Sequence, residues 1–529
     1  MTIIRGGFIV DGSGSSGFSG DLFIEENGTI ADVVKGGAQG AAGDVIDAAG
    51  KIVTPGFIDM HRHCDVAALK EGFGDIELRQ GITTCVAGNC GMSPVPNRPE
   101  TRQQLESYLT PCLGSFADET FQSHAEYAAK LQSVPLPLNV GFYAGMGAIR
   151  IATKGFDASP YTHAEMENAR FLLDEAMQAG ALGLSVGLLY VPEVYSSTDE
   201  IANLAKAMRG RGILVSHMRY ETEKLVDAVQ EVIDVAKKSG VPLEISHFKA
   251  AGHKAWHGVL HRAIELIERE RAAGTDISVD FYPYNCGSST MMQMIPPSYL
   301  AGGIDKAIAG LDKPENVDRL RRLLESGEKD WDNLSKTIGW DRTVISSVSL
   351  DENQKYAGKT VSEAAAQSGL DEAAFVARLL FSESGKVGII NRSMSQDDID
   401  TIARLPYSSL ISDSLYGDMK TPHPRLTGSF PGFIRDFVVQ RKVLSLEEGI
   451  RKMTAAPAAR LGLNDTGVLG KGKRADVLVF SPDEFKDESD YLQPMRQASG
   501  LELGFVAGKK TVEKGRVVRY DAGRHEKLR

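Results

Sequence analysis

Short apolar runs recur along the middle of the chain, each closed by a polar side chain or a glycine turn. Between several of them, apolar residues return every three or four positions. Eight strand-like runs lie at 52–60, 82–87, 138–143, 181–189, 213–216, 243–246, 277–282 and 409–412. The intervening pattern, as at 164–178 and 221–238, predicts helices. Strands alternating with helices specify βα units on a parallel sheet. The two ends read differently. Segments 3–12, 21–24 and 29–34, and again 475–480 and 510–518, are short strands punctuated by glycine. That pattern predicts antiparallel structure, and strand-rich ends of one domain commonly share a sheet.

Eight strands is the closure number of the (β/α)8 barrel. The expected architecture is therefore α/β: a TIM-like barrel over 52–463 and a small β-sandwich domain built from 1–51 and 464–529. The gap between the seventh and eighth runs is too long for one helix. Residues from about 291 to 342 carry Pro296 and Pro297, the pair Gly302 and Gly303, and charged helical runs. They read as a cap inserted over the barrel mouth, where long insertions are tolerated and act as lids.

The ends of the strand-like runs carry the chemistry. His61 and His63 follow the first run, Cys90 follows the second, His217 and His247 each close a Ser-His ending, and Asp413 follows the eighth. Side chains on a strand repeat with period two, so His61 and His63 can face the interior together. Taken singly, each histidine reads equally as a hydrogen-bonded core residue, Cys90 as a small buried hydrophobe and Asp413 as a helix cap. Five runs that all finish in a zinc-favouring side chain point instead to dispersed ligands delivered to one face of a barrel. A carboxylate among them suits a general base.

Composition narrows the partners. The chain has 529 residues, 42% of them hydrophobic, enough for a large core. A net charge of −11 argues against a nucleic-acid partner. No stretch is apolar for long enough to span a bilayer. Five cysteines, an odd and small number, predict free thiols in a reducing compartment, and the first 20 residues lack a signal-peptide pattern. A cytoplasmic protein acting on a small molecule is expected, and oligomeric state is not legible.

The residues resemble the D-aminoacylase (N-acyl-D-amino-acid deacylase) branch of the metal-dependent amidohydrolases from end to end. The carrying motifs are Pro55-Gly56-Phe57-Ile58-Asp59-Met60-His61-Arg62-His63, Gly81-Ile82-Thr83-Thr84 through Gly88-Asn89-Cys90-Gly91, and Ser216-His217-Met218-Arg219. Further on come Ile245-Ser246-His247-Phe248-Lys249, Asp280-Phe281-Tyr282-Pro283-Tyr284 with Gly287-Ser288, Ser412-Asp413, His423-Pro424-Arg425 and Gly472-Lys473-Arg474-Ala475-Asp476. The Gly-Asn-Cys-Gly turn is the specific one: relatives that bridge two metals use a carboxylated lysine on the fourth strand, and residues 181–191 contain no lysine.

The resemblance implies hydrolysis of N-acyl-D-amino acids. It assigns Cys90, His217 and His247 to a tight Zn2+ site with one position left for water. A weaker second site falls to His61, His63 and Asp413, with Asp413 as the proton carrier. Lys249, Tyr282, Ser288 and Arg425 would bind the substrate α-carboxylate, for which Lys and Arg are chemically suited. Ser414 stands where the family pattern has glycine and Phe248 where D-aminoacylase has a second histidine; both bear on substrate preference. A hydantoinase or dihydroorotase should carry the missing lysine, a non-catalytic barrel should have lost ligands, and a formamide deformylase would have little use for the carboxylate clamp.

Overall fold

The computed structural model describes residues 1–37, 43–417 and 421–528. Both ends of the chain contribute to one nine-stranded sheet. Its seam is the antiparallel pairing of Ile52–Pro55 with Val477–Phe480, in register from Ile52↔Phe480 to Pro55↔Val477. Thr2–Ile9, Phe18–Ile24 and Ile30–Lys35 extend it on one side, and Leu501–Val506 and Lys509–Glu513 on the other. Ile4, Ile9, Leu22, Val53, Val477, Val479 and Phe505 form its separate apolar core.

The eight middle runs all contain strand, and every pairing between them is parallel. Phe57–Asp59, Ile82–Ala87 and Asn139–Phe142 form one sheet. A second sheet holds Ala144–Gly145, Gly183–Gly187, Ile213–His217, Leu243–Ile245, Ile277–Phe281 and Ser408–Leu410 in spatial order. Hydrogen bonds join the two at both edges. At one edge the Leu182 amide, next to Gly183–Gly187 of the second sheet, donates to the Phe142 carbonyl of the first at 2.8 Å. At the other edge Asp413 N–H donates to His61 and His63 N–H to Ser414, each at 2.9 Å, around a parallel bridge between Arg62 and Ser414.

Two expectations shift. The first run, 52–60, divides at Gly56: the part before it belongs to the terminal sheet and only Phe57–Asp59 pairs with its parallel neighbour. A Cβ at Gly56 would lie 2.1 Å from Thr83 Oγ1, so the chain can change sheets there only without a side chain. The stretch expected as an inserted cap, 291–342, is flanked by strands that pair with neither parallel sheet. Gly287–Thr290, Thr343–Ser347 and Gly388–Asn391 form a three-stranded antiparallel sheet, overlaid by helices such as Pro314–Ser326 and Glu372–Ser382. These helices share an apolar core, around Leu320, Phe375 and Leu379, that is separate from that of the parallel strands.

Arg62 ties the strand ends together. It is fully buried, and period-two alternation points it away from the side to which His61 and His63 turn. Its guanidinium donates to Asp59 Oδ2 (3.2 Å), Ser412 Oγ (3.0 Å), Glu77 Oε1 (2.8 Å), Tyr416 OH (2.6 Å) and the Leu426 carbonyl (3.1 Å). Those partners come from the first strand, the helix Asp75–Arg79, the stretch after the last strand and the helix Arg425–Phe433. A buried carboxylate that loses its cation is strongly destabilising, so Arg62→Met is expected to cost about 3–5 kcal/mol. Arg62→Lys should recover little of this, because an ammonium cannot reproduce the planar fork. Denaturant unfolding of both variants checks this; midpoints equal to wild type would show that the network is dispensable.

Candidate metal centre

His61, His63, Cys90, His217, His247 and Asp413 all lie at the C-terminal ends of parallel strands, where barrel-type folds collect their chemistry. The structure brings all six together as two overlapping groups, His61/His63/Cys90/Asp413 and Cys90/His217/His247. Within each group the candidate ligand atoms lie within 4.8 Å of one another. Cys90 Sγ stands 3.3 Å from His61 Nε2, 3.6 Å from His247 Nε2 and 3.8 Å from His217 Nδ1. Asp413 Oδ1 lies 3.4 Å from Nε2 of both His61 and His63. A tetrahedral ion with bonds of about 2.0–2.3 Å holds its ligand atoms roughly 3.3–3.8 Å apart, so the donor set fits zinc in spacing and in type.

Local backbone geometry aims these groups. Cys90, His247 and Asp413 take positive φ angles of 54°, 34° and 52°. Non-glycine residues adopt that region at a cost of about 1–3 kcal/mol each, and such strain concentrates at functional sites. Around Cys90 two glycines are obligatory: a Cβ on Gly88 would lie 2.2 Å from the Tyr143 carbonyl, and one on Gly91 would fall onto the Glu193 carboxylate. His247 is held at its amide by Asp280, which accepts from it in a short hydrogen bond.

Burial sets the protonation states. It pushes His61 down to about 4 and also lowers His63, His217 and His247, which leaves neutral imidazoles with lone pairs free at neutral pH. Burial, then the Asp413 charge, drives the Cys90 thiol well above its ordinary range, so a thiolate there requires a cation beside it. Asp413 runs the other way. Burial disfavours its charge, but Arg425 Nη1 at 2.8 Å from Oδ2 and the surrounding imidazoles outweigh that and hold it well below the usual carboxylate range.

The far sides of the imidazoles meet carboxylates. Glu221 Oε1 lies 3.1 Å from His247 Nδ1 and 3.9 Å from His217 Nε2, and Asp280 Oδ2 lies 3.7 Å from His61 Nδ1. Carboxylates in this position orient metal-binding histidines. Neither residue was expected from the sequence to serve the site. Glu221 falls inside the run 221–238, but the helix begins only at Leu225, because the Glu221 amide and the Thr222 hydroxyl are held by Asp332 from the insertion. Its position four residues after His217 was the available signal. For Asp280 it was the alternation that puts it on the same side as Tyr282.

A cavity of about 620 Å³ opens over the centre, and Lys249, Tyr282, Ser288 and Arg425 all line it. Arg425 and Lys249 approach the Tyr282 ring, at 5.1 Å and 5.8 Å from its centroid. Both cations already have partners: Arg425 pairs with Asp413 and donates to the Ser288 carbonyl, and Lys249 Nζ contacts Glu221 Oε1 at 2.5 Å.

The chain belongs to the amidohydrolase family, whose model matches residues 44–282 and 365–519. Among individual relatives it is 32% identical over 520 residues to an N-acyl-D-aspartate deacylase of Alcaligenes xylosoxydans xylosoxydans, covering 96% of this chain and 91% of the relative. An N-acyl-D-glutamate deacylase of the same organism is 30% identical over 531 residues, covering 98% and 96%. The solved N-acyl-D-glutamate deacylase of Bordetella bronchiseptica, complexed with zinc and a phosphonate mimic of the tetrahedral intermediate, superposes with a TM-score of 0.83. It is 28% identical and is covered over 99% of both chains.

With one cysteine and two histidines converging, the purified protein is expected to carry about one tightly held zinc per chain. Cys90→Ala should lose most of it. Full zinc occupancy of that variant by elemental analysis would mean that the ligands lie elsewhere.

Proposed function

We propose that this protein is a zinc-dependent deacylase that hydrolyses the amide bond of N-acyl-D-amino acids, giving a carboxylate and a free D-amino acid. The observation that carries the reading is the placement of an aspartate-containing ligand cluster at the floor of a cavity whose wall presents Lys249 and Arg425. The relatives named for D-amino-acid substrates supply the stereochemistry. Hydrogen bonds at both edges of the two parallel sheets support their reading as one closed (β/α)8 barrel, and the self-contained core of the terminal sheet supports a small sandwich. Five free thiols suit the cytoplasm, and among the described residues no helix is long and apolar enough to cross a membrane.

Cys90, His217 and His247 would hold the tight zinc, with His61, His63 and Asp413 around a weaker second position. When bound, the ion supplies Lewis acidity that makes water nucleophilic near neutral pH and polarises the scissile carbonyl. The remaining work falls to the chain. Asp413, ionised throughout the neutral range, accepts a proton from the attacking water and delivers it to the amide nitrogen as the C–N bond breaks. Glu221 and Asp280 keep the imidazoles in register. Arg425, Lys249, Tyr282 and Ser288 receive the α-carboxylate and so fix which face of the amide meets the water. An acidic substrate side chain would need a further cation. Apart from the histidines, Lys249 and Arg425 are the cations among the described lining residues, which favours neutral side chains.

Asp413→Asn should retain the fold and most of the tight zinc while kcat falls roughly 10²–10⁴-fold, the scale of general acid–base catalysis. Near wild-type kcat would move the base elsewhere.

The substrate class is tested by pairing N-acetyl-D-amino acids with their L-isomers, their neutral amides and N-substituted formamides. Losing a charge-assisted hydrogen bond of about 1.5–3 kcal/mol, Arg425→Ala should fall about 10- to 150-fold in kcat/KM on the acid. The loss on the neutral amide should be much smaller, so the difference isolates the carboxylate contact from the Asp413 pair. Equal losses would leave Arg425 as a partner of Asp413 alone. A wild-type preference for formamides would replace the deacylase reading.

A further inference from the structure

A second cavity, of about 700 Å³, lies against the first and shares with it Met92, Cys112, Tyr190, Ser289 and Gln293. Its chemistry is the opposite. No Asp, Glu, Lys, Arg or His is among its described lining residues; the walls are Tyr108 and Pro111 on one side and Ile295, Pro297 and Leu300 on the other. The first wall belongs to the helix Arg102–Leu113 and the second to the insertion, so the cavity is the gap between the two. A largely apolar, uncharged space beside a charged one suits a ligand that is polar at one end and apolar at the other.

We propose that this second cavity receives the acyl chain of the substrate and selects an extended apolar acyl group over acetyl. The inference rests on the deacylase reading and adds the identity of the acyl part. Connectivity decides between the two apolar portions of an N-acyl amino acid. The amino-acid side chain branches from the carbon that carries the carboxylate, and Lys249, Tyr282, Ser288 and Arg425 all line the first cavity but not the second. The acyl chain starts instead at the scissile carbonyl, beside the metal ligands. Tyr190, in the shared wall, stands there, its ring 4.7 Å from that of His217. A chain leaving the carbonyl on that side enters the apolar space directly. Burying each methylene there contributes about 0.8 kcal/mol, so kcat/KM should climb roughly 2- to 4-fold per methylene until the space is filled.

The test measures kcat/KM of the zinc-loaded protein on N-acetyl-, N-butanoyl-, N-hexanoyl- and N-octanoyl-D-leucine, and on N-acetyl-D-amino acids with side chains of increasing length. A steep rise along the acyl series is expected, with a weaker dependence on the side chain. Ser107→Phe, which fills the cavity from the helix wall, should flatten the octanoyl-to-acetyl ratio within the same variant. Ile304→Phe does the same from the insertion should the first variant fail to fold. Acetyl substrates turned over with a flat or falling acyl series would overturn this proposal and leave the deacylase reading intact. So would a steep side-chain series beside a flat acyl one, or an unchanged ratio in both filled variants. No hydrolysis of any N-acyl-D-amino acid would overturn both.

Discussion

Arg62 is the point on which the mouth of the parallel strands depends. Sitting between two metal-ligand candidates, it cannot move without moving both. Its five hydrogen bonds engage every N–H of the guanidinium, and its partners Asp59 and Glu77 are buried carboxylates that would be costly without it. Asp59 in turn accepts from the Ser412 amide and hydroxyl, one residue before Asp413. The side chain that neutralises the buried acids thus also sets the register between the first and last strands, the seam at which His61, His63 and Asp413 meet. Arginine suits this position because its donors diverge in a rigid plane towards several elements at once.

The candidate ligands are held by a different means, local strain. Cys90, His247 and Asp413 leave their strands through positive-φ turns that a relaxed chain would avoid. Glycines at 88 and 91, the carboxylate of Asp280 and the backbone bonds at the seam over-determine those turns. Four neutral imidazoles, a thiol that ionises only beside a cation and a carboxylate kept charged by Arg425 then form a donor set suited to a metal cation. Burial and strain are unfavourable in isolation, and both become useful where a cation can bind.

What was legible in the sequence follows from periodicity and from endings. The parallel strands are visible because each has a buried apolar run, and the candidate ligands because five of the eight runs stop at a side chain that can bind a metal. Gly56 hid the change of sheet, since an apolar run continues across it and only the third dimension shows Thr83 in the way of a Cβ. The strands flanking 291–342 are not legible from the pattern, because helices such as Val361–Gln367 and Glu372–Ser382 carry the same amphipathic spacing whichever sheet they cover. Glu221 was hidden in a helical pattern because its role depends on Asp332, more than a hundred residues away. Period reports which residues are buried, and not against what.

The candidate ligand cluster and the second cavity consequently rest on different parts of the chain. The candidate ligands come from strand ends, and the Arg62 network fixes the first and last of these, where His61, His63 and Asp413 lie. The wall of the second cavity comes largely from the insertion, whose core around Leu320, Phe375 and Leu379 is separate from that of the parallel strands. Substitutions there can reshape a cavity without displacing a ligand, because effects between distant, unshared contacts are nearly additive. Two direct ties are the Ser288 carbonyl, which accepts from the Arg425 that pairs with Asp413, and Asp332, which reaches from the insertion to hold the Glu221 amide and the Thr222 hydroxyl. Through Glu221 the Asp332 contact leads to His217, His247 and Lys249 together, so it is one place where the shape of the insertion can be felt by the candidate metal ligands.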